Sequence, residues 1–357
     1  METIGVVGAG TMGAGIAQGA AVGGCVVRLH DAVPGVAGRA GARIGESLAR
    51  AVEKGKMESG VASAALARLR PAEGLADLAG CGLVVEAIVE DAAAKARLFS
   101  ALSRHLDAGA VIATNTSSLR VDDLAGAVEH PERFLGLHYF FPAAINPLLE
   151  IVRGRRTGDA AMDRAAAFAV ATGKRVVRCR DAFGFAVNRF FVPYLNEAAR
   201  LVDEGIAPGE VEAVACAALA TPAGPFRVMD LTKPVIALHA CRTLSALGPF
   251  YQPAAALVRQ GEAGGPWNVS PAEPAPVRAA QIAARLHGAI LSAVLEALDD
   301  EVAAPDDFDL GARIGLQWGW LPCAAARAMG REAVAALVAR YFTGRTLPAS
   351  LGRIAEA

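Results

Sequence analysis

The chain has 357 residues, enough for two or three domains with buried cores. Its 35 Lys and Arg against 36 Asp and Glu leave a net charge of −1, which gives no electrostatic case for a nucleic-acid partner. Hydrophobic residues reach 54%, but no apolar run approaches the roughly 18 residues of a membrane span, so no membrane partner is expected. Met1-Glu2-Thr3 lacks a basic leader region. The six cysteines (25, 81, 179, 216, 241, 323) show no C-x-x-C spacing. Together these predict a cytoplasmic protein with reduced core cysteines and no metal or disulfide.

Ile4-Gly5-Val6-Val7 reads as a short buried strand, and GAGTMGAGIAQGAA follows it directly. Gly8, Gly10 and Gly13 fit G-x-G-x-x-G between a strand and an apolar helix. The first glycine permits the tight turn, the second lets a pyrophosphate approach the backbone, and the third lets helix pack on strand. A second strand, residues 25–29, leads to Asp31, roughly 20 residues beyond the first glycine. A carboxylate there bonds a ribose 2′-hydroxyl and repels a 2′-phosphate, so NAD is the expected cofactor. Residues 35–70 look helical, with Ile44, Leu48 and Val52 at spacing four and Arg43, Arg50, Lys54 and Lys56 among them. Those cations are either a solvated face or an anchor for an anionic ligand tail.

Leu83-Val84-Val85 leads into Glu86, Glu90 and Asp91, then a helix carrying Lys95. Glu90 and Lys95 read equally as cofactor contacts or as an acidic helix start with a surface lysine. Strand Val111-Ile112-Ala113 ends in Asn115, Thr116, Ser117 and Ser118, and strand 134–137 ends at His138, walled by Tyr139, Phe140, Phe141 and Pro142. Strand 148–152 contains Glu150. Apolar walls lower an imidazole pKa and a nearby carboxylate raises it, so His138 and Glu150 are either a base poised near neutrality or a satisfied core pair. Polar clusters at strand ends fall on the edge where a parallel sheet binds ligands, which favours the catalytic reading. Strand 175–179 closes the first domain near Asp181.

From Gly184 the pattern turns helical. Asn188 and Arg189 open the first helix, Asn188 being either a helix-start polar group or a donor into the cleft. GEAGGPWNVSPAEPAP forms a Gly/Pro-rich linker. The later helical stretch repeats the order of the earlier one: Glu197 aligns with Glu296, Pro208 with Pro305 and Glu212 with Asp309, as in a degenerate internal duplication. The expected plan is an α/β Rossmann-type NAD-binding domain over 1–182 followed by all-α C-terminal domains. These are a helical substrate or dimerisation domain at 183–262, a linker at 263–276, and a second helical repeat at 277–357.

The motifs GAGTMGAGIAQGAA, LHDAVPG, VVEAIVEDAAAK, ATNTSSL, GLHYFFP, LLEIVRG, GFAVNRFFVPYLNEA and PAGPFRVMD, in this order over roughly residues 1–240, make the chain resemble the 3-hydroxyacyl-CoA dehydrogenases of the 3-hydroxybutyryl-CoA type. The later helices resemble the carboxyl part of multifunctional fatty-oxidation enzymes. The resemblance implies helical domains like the C-terminal domain of 6-phosphogluconate dehydrogenase, and NAD-dependent oxidation of (S)-3-hydroxyacyl-CoA, or its reversal. It implies His138 and Glu150 as the catalytic pair, with Ser117 and Asn188 on the substrate. Gly8, Gly10, Thr11, Met12, Gly13, Asp31, Glu90, Lys95 and Asn115 fall to the cofactor. Ser47 and Lys54 fall along the CoA tail, and Phe141 borders the acyl pocket.

Three departures stand out: Phe141 replaces an asparagine of the family's HFFNP, Phe183 replaces a proline, and GEAGGPWNVSP replaces a basic glycine-rich stretch. All three leave the acyl group open. The alternatives are the same chemistry on an acyl-carrier-protein thioester in natural-product assembly, a CoA-independent hydroxy-acid dehydrogenase, and an inactive crystallin-like binding protein. Single-repeat members of the family dimerise through the helical domain, so the resemblance implies a homodimer or a pseudo-dimeric monomer.

Overall fold

The computed structural model describes residues 2–355; position 1 and positions 356–357, the outer ends of the expected first and last segments, lie outside the described residues. The chain divides into two compact units, with the boundary between Asp181 and Ala182.

The first unit is built on eight strands, β1 (Thr3–Val7), β2 (Val26–His30), β3 (Leu69–Ala72), β4 (Leu83–Glu86), β5 (Val111–Thr114), β6 (Phe134–Tyr139), β7 (Leu148–Arg153) and β8 (Arg175–Arg180). They form one sheet in the order β3-β2-β1-β4-β5-β6-β7-β8. The central runs are apolar without alternation because both faces are covered: Ile4, Val6, Leu83, Val84 and Val85 are fully buried. Helices α1 (Thr11–Val22), α2 (Val36–Glu53), α3 (Ser59–Arg68), α4 (Ala92–Ser103), α5 (Val121–Leu124) and α6 (Asp159–Ala171) connect them.

The continuous helix expected over 35–70 is two helices, broken after Glu53 where Gly55 takes a φ of 64°. The segment that follows, Leu-Arg-Pro-Ala, is a strand. Among the described residues it pairs with β2 alone, and an edge position tolerates Pro71, which has no N–H to offer a further neighbour. All neighbours pair in parallel except β6 and β7, which are antiparallel. That reversal gathers the C-terminal ends of β1, β2, β4, β5 and β6 and the N-terminal ends of β7 and β8 on one edge.

The second unit is helical: α7 (Val187–Asp203), α8 (Pro208–Leu219), α9 (Pro225–Thr232), α10 (Pro234–Leu244), α11 (Ala255–Ala263), α12 (Pro276–Asp299), α13 (Pro305–Leu310), α14 (Pro322–Met329), α15 (Arg331–Val338) and α16 (Ser350–Ala355). Six of these open on a proline, whose missing N–H costs nothing at the first helical position. Both expected helical stretches lie within this unit, α12 running along α7.

Glu212 and Asp309, aligned in sequence order, and the unaligned Asp203 and Asp299 each hold the start of a helix. Glu212 accepts the Gly224 and Phe226 N–H groups at the start of α9. Asp309 accepts those of Cys323 and Ala324 at the start of α14. Asp203 holds Ala256 N–H and Arg259 at α11, while Asp299 holds Ser350 N–H and Arg353 at α16. Between α9 and α10 Lys233 adopts a φ of 77°, as Gly330 does between α14 and α15. Residues 264–275 have no regular secondary structure, yet Trp267 donates its backbone N–H to Asp230 and packs its ring 4.7 Å from Phe226. Trp318 is core, set among Phe190, Phe191 and Tyr194. Among the described residues no helix is long and apolar enough to cross a membrane.

Candidate active site

The glycine loop follows β1 on the ligand edge. Gly8 has a φ of 100°, and a Cβ there would lie 2.4 Å from the Ala87 carbonyl oxygen. A Cβ on Gly13 would lie 1.7 Å from the Gly8 oxygen, so the first turn of α1 packs directly on the loop. Gly10 differs: its Cβ position meets nothing within 4 Å. Gly10 also caps α1 without any side-chain acceptor, so the first-turn N–H groups, around the half-buried Met12 and exposed Thr11, face that space. This is the geometry a pyrophosphate requires. Asp31, just past β2, accepts Ala9 N–H through Oδ2 (2.8 Å) and Val33 N–H through Oδ1 (2.9 Å). Its carboxylate is thereby fixed beside the loop, where it suits a ribose diol and disfavours a 2′-phosphate. Arg43 on α2 donates to the Ala9 carbonyl (3.2 Å).

The Asn115–Ser118 turn is organised from beneath. Glu86, the fully buried last residue of β4, accepts from Lys95 Nζ (2.5 Å), Ile88 N–H (2.8 Å) and Thr114 Oγ1 (2.7 Å). Glu90 Oε1 accepts from Thr116 Oγ1 (2.5 Å), Ser117 N–H (3.0 Å), Ser118 N–H (3.0 Å) and Ser118 Oγ (2.8 Å), and its other oxygen lies 3.2 Å from Lys95. Burial works to raise the Glu90 pKa, but the Lys95 ammonium and the Thr116 and Ser118 hydroxyls outweigh it and hold the carboxyl below its ordinary value. Lys95 is 1% exposed, so in this structure it neutralises two carboxylates and shapes the turn instead of standing at the surface. Ser117 is exposed.

His138 and Glu150 face each other directly in the antiparallel β6–β7 register, so both side chains project from the same face of the sheet. The imidazole Nδ1 lies 2.5 Å from Glu150 Oε2, with Glu150 fully buried and His138 5% exposed. A buried carboxylate accepting at that distance requires the proton on Nδ1, which makes Nε2 the basic nitrogen. Asn115 Oδ1 accepts Tyr139 N–H (2.9 Å) and ties the end of β5 to the strand beside His138. Phe140, not Phe141, packs against the imidazole, its ring centroid 4.6 Å away; Phe141 is 55% exposed. Ser47 is half-buried on α2 and Lys54 is exposed at its end. Seven positions apart, they share a helix face. Asn188 belongs to the second unit, half-buried in the first turn of α7.

The sequence motifs give two contributors no role of their own. Glu86 had a signal, since it ends an apolar strand on the ligand edge just as Asp31 follows one. Lys174 had none. Its buried Nζ donates to the Ala143 and Asn146 carbonyls (2.7 Å each), fixing the loop after His138.

A dinucleotide loop and an oriented imidazole on one sheet edge make the first unit that of a nicotinamide-dependent dehydrogenase. Comparison with known proteins narrows the class. Residues 3–182 match the 3-hydroxyacyl-CoA dehydrogenase NAD-binding domain, and residues 184–265 match the C-terminal domain of the same family. A 3-hydroxybutyryl-CoA dehydrogenase of Mycobacterium tuberculosis is 41% identical over 269 residues, 74% of this chain and 94% of that protein. The structure of an (S)-3-hydroxybutyryl-CoA dehydrogenase from Ralstonia eutropha is 31% identical, with a TM-score of 0.72 over 75% of this chain and 96% of that one. A 3-hydroxybutyryl-CoA dehydrogenase structure from Escherichia coli K12 shares the fold over 99% of this chain and 98% of its own, with a TM-score of 0.89 at 24% identity.

The chain belongs to the 3-hydroxyacyl-CoA dehydrogenase family, with an extra helical region beyond the family's C-terminal domain. It is an NAD-dependent oxidoreductase of fatty acid metabolism acting on 3-hydroxyacyl-CoA.

Proposed function

We propose that the chain interconverts (S)-3-hydroxyacyl-CoA and 3-oxoacyl-CoA with His138 as the proton-transferring group, and that a short acyl chain such as 3-hydroxybutyryl is its substrate. The observation that carries the assignment is the buried Glu150 carboxylate 2.5 Å from His138 Nδ1. It fixes the tautomer that leaves Nε2 to accept the 3-hydroxyl proton, and it stabilises the imidazolium that results. Ser117 and Asn188 orient the reacting oxygen and the thioester carbonyl. NAD, when bound, would supply the hydride acceptor for C3. Gly8, Gly10, Thr11, Met12 and Gly13 would hold its pyrophosphate, and Asp31 its ribose. Glu90, Lys95 and Asn115 shape the turn beside it. Ser47 and Lys54 would meet the CoA tail, and Phe141 would border the acyl pocket.

The name of the M. tuberculosis relative supports the short chain. The matched capping residues of the two helical stretches support reading 277–357 as a second repeat after the helical domain and its linker, and the full chain as a pseudo-dimeric monomer. Six free cysteines, mostly buried, suit a reducing compartment, in keeping with a cytoplasmic enzyme.

Following NADH absorbance with acetoacetyl-CoA, a carrier-protein acetoacetyl thioester and free acetoacetate tests the substrate class. The CoA ester is expected to be fastest, and a faster carrier-protein reaction would overturn that choice. In the same assay His138→Ala is expected to lose about 10²–10⁴ in kcat. Activity within threefold of wild type would remove His138 from the mechanism.

A further inference from the structure

Beside Asn188 in the first turn of α7 stands Arg189, 3% exposed. Its guanidinium has two partners. Nε donates to the Tyr251 hydroxyl (3.3 Å), and Nη2 donates to Asp300 Oδ2 (2.5 Å). Tyr251 in turn donates to Glu296 Oε2 (2.6 Å). Glu296 lies on α12 and Asp300 at its C-terminal end, in the helical region beyond the family's C-terminal domain, whose match ends at residue 265. The alignment with the M. tuberculosis relative uses 94% of that protein and only 74% of this chain. What remains of the relative is too short to supply α12 to α16.

The same device occurs in reverse. Arg285 on α12 reaches back to Glu204 with two bonds (2.8 and 2.9 Å) and to Glu197, and Tyr341 donates to Glu197 (2.9 Å). Each half thus lends an arginine and a tyrosine to carboxylates of the other, the reciprocal pattern of a two-fold contact. The two ion pairs differ in one respect. Arg189 adjoins Asn188, whereas Glu204 stands at the far end of α7, about 24 Å along a helix of that length.

We propose that Asp300 and Arg189 are positioning residues for catalysis: the ion pair sets the first turn of α7, and through it the Asn188 side chain. The extra helical region thereby contributes to the reaction without touching substrate. The proposal rests on the reading of Asn188 as a substrate contact. Loss of the Asp300 carboxylate, itself 56% exposed, leaves this buried guanidinium with only the neutral Tyr251 hydroxyl and a pull toward water. The first turn of a helix has the fewest backbone bonds to resist a shift that would rehydrate it. A displacement on the order of 1 Å in an orienting group costs up to about 100-fold in rate.

The test compares Asp300→Asn with Glu204→Gln, its mirror-image control, and Asn188→Ala, using steady-state kinetics with acetoacetyl-CoA and NADH and melting temperatures for each variant. Asp300→Asn is expected to lower kcat by about 10- to 100-fold with KM for NADH unchanged, Glu204→Gln to stay within twofold of wild type, and Asn188→Ala to lose at least as much as Asp300→Asn. Arg189→Lys, which keeps the charge, is expected to fall between Asp300→Asn and wild type. A full kcat in Asp300→Asn beside a crippled Asn188→Ala would overturn the tether and leave Asn188 standing. Equal losses in Asp300→Asn and Glu204→Gln would also overturn it, as general loosening between α7 and α12. A full kcat in Asn188→Ala would overturn the reading of Asn188, and the tether with it.

Discussion

Lys174 is a cation placed where only backbone can answer it. Among the described residues no carboxylate pairs with it; its ammonium is held by two carbonyls of the 143–146 loop, with the Tyr139 ring 5.7 Å away. Burial lowers its pKa from 10.5 to about 8. Between those values the unfolded chain binds a proton that the folded chain has released. The site's contribution to stability therefore rises with pH across that window and is least favourable below about 8. Urea unfolding of wild type and Lys174→Met at a series of pH values from 7 to 10.5 is expected to show the wild type gaining on the variant as pH rises. Parallel curves would show that Lys174 keeps its ordinary pKa. Other titrating groups cancel in the difference. The sequence gives no hint of this residue because backbone carbonyls leave no side-chain pattern. Glu86 and Lys95, by contrast, sit at a strand end and on the next helix, where a complementary pair can be sought.

The strand-loop-helix element at the start of the chain separates two uses of glycine. Gly13→Ala forces a Cβ to within 1.7 Å of the Gly8 oxygen, and backbone cannot yield as a flexible side chain would. It is expected to cost upward of about 1–3 kcal/mol and to weaken NAD binding as a consequence. Gly10→Ala places its methyl in open space, at a φ of −70° and ψ of −166° that alanine adopts freely. Its denaturation midpoint is expected to match or slightly exceed wild type, since alanine reduces the freedom of the unfolded chain. Its affinity for NADH, read by nucleotide fluorescence, is nevertheless expected to fall, because the methyl occupies the phosphate's path. Unchanged affinity would show that the phosphates do not pass Gly10.

This element was legible because its chemistry depends on residues close in sequence. The β6–β7 pair was legible only in part. An apolar strand ending near His138 and another holding Glu150 could both be read, but their antiparallel register, which sets the two side chains opposite each other, is a property of topology. The same limit hid β3, whose Arg70 and Pro71 argue against a strand until its edge position is known.

In the whole molecule, the second helical stretch covers what the first leaves apolar. Along α7, Phe190, Tyr194, Ala198 and Leu201 are buried, and Trp318 closes over Phe190, Phe191 and Tyr194 from the later half. Sequence order alone aligned Glu197 with Glu296, and both do accept a hydroxyl from the other half's tyrosine. The arginine exchange was not legible, since Arg189–Asp300 and Arg285–Glu204 span roughly a hundred residues and have meaning only once α12 lies along α7. With that face satisfied inside one chain, light scattering is expected to give a monomer near 36.6 kDa. Ending the chain at residue 275 removes α12 to α16 and strips the cover from α7, exposing contiguous apolar surface of the kind that drives association. The same reciprocal contacts are then available to a second copy only in part, because Asp300, Glu296, Arg285 and Tyr341 are all lost. The truncated chain is therefore expected to self-associate at micromolar concentration while full-length protein does not. A truncated chain that stays monomeric and stable would show that α7 is buried by the first half alone, and that the later helices serve some purpose other than covering it.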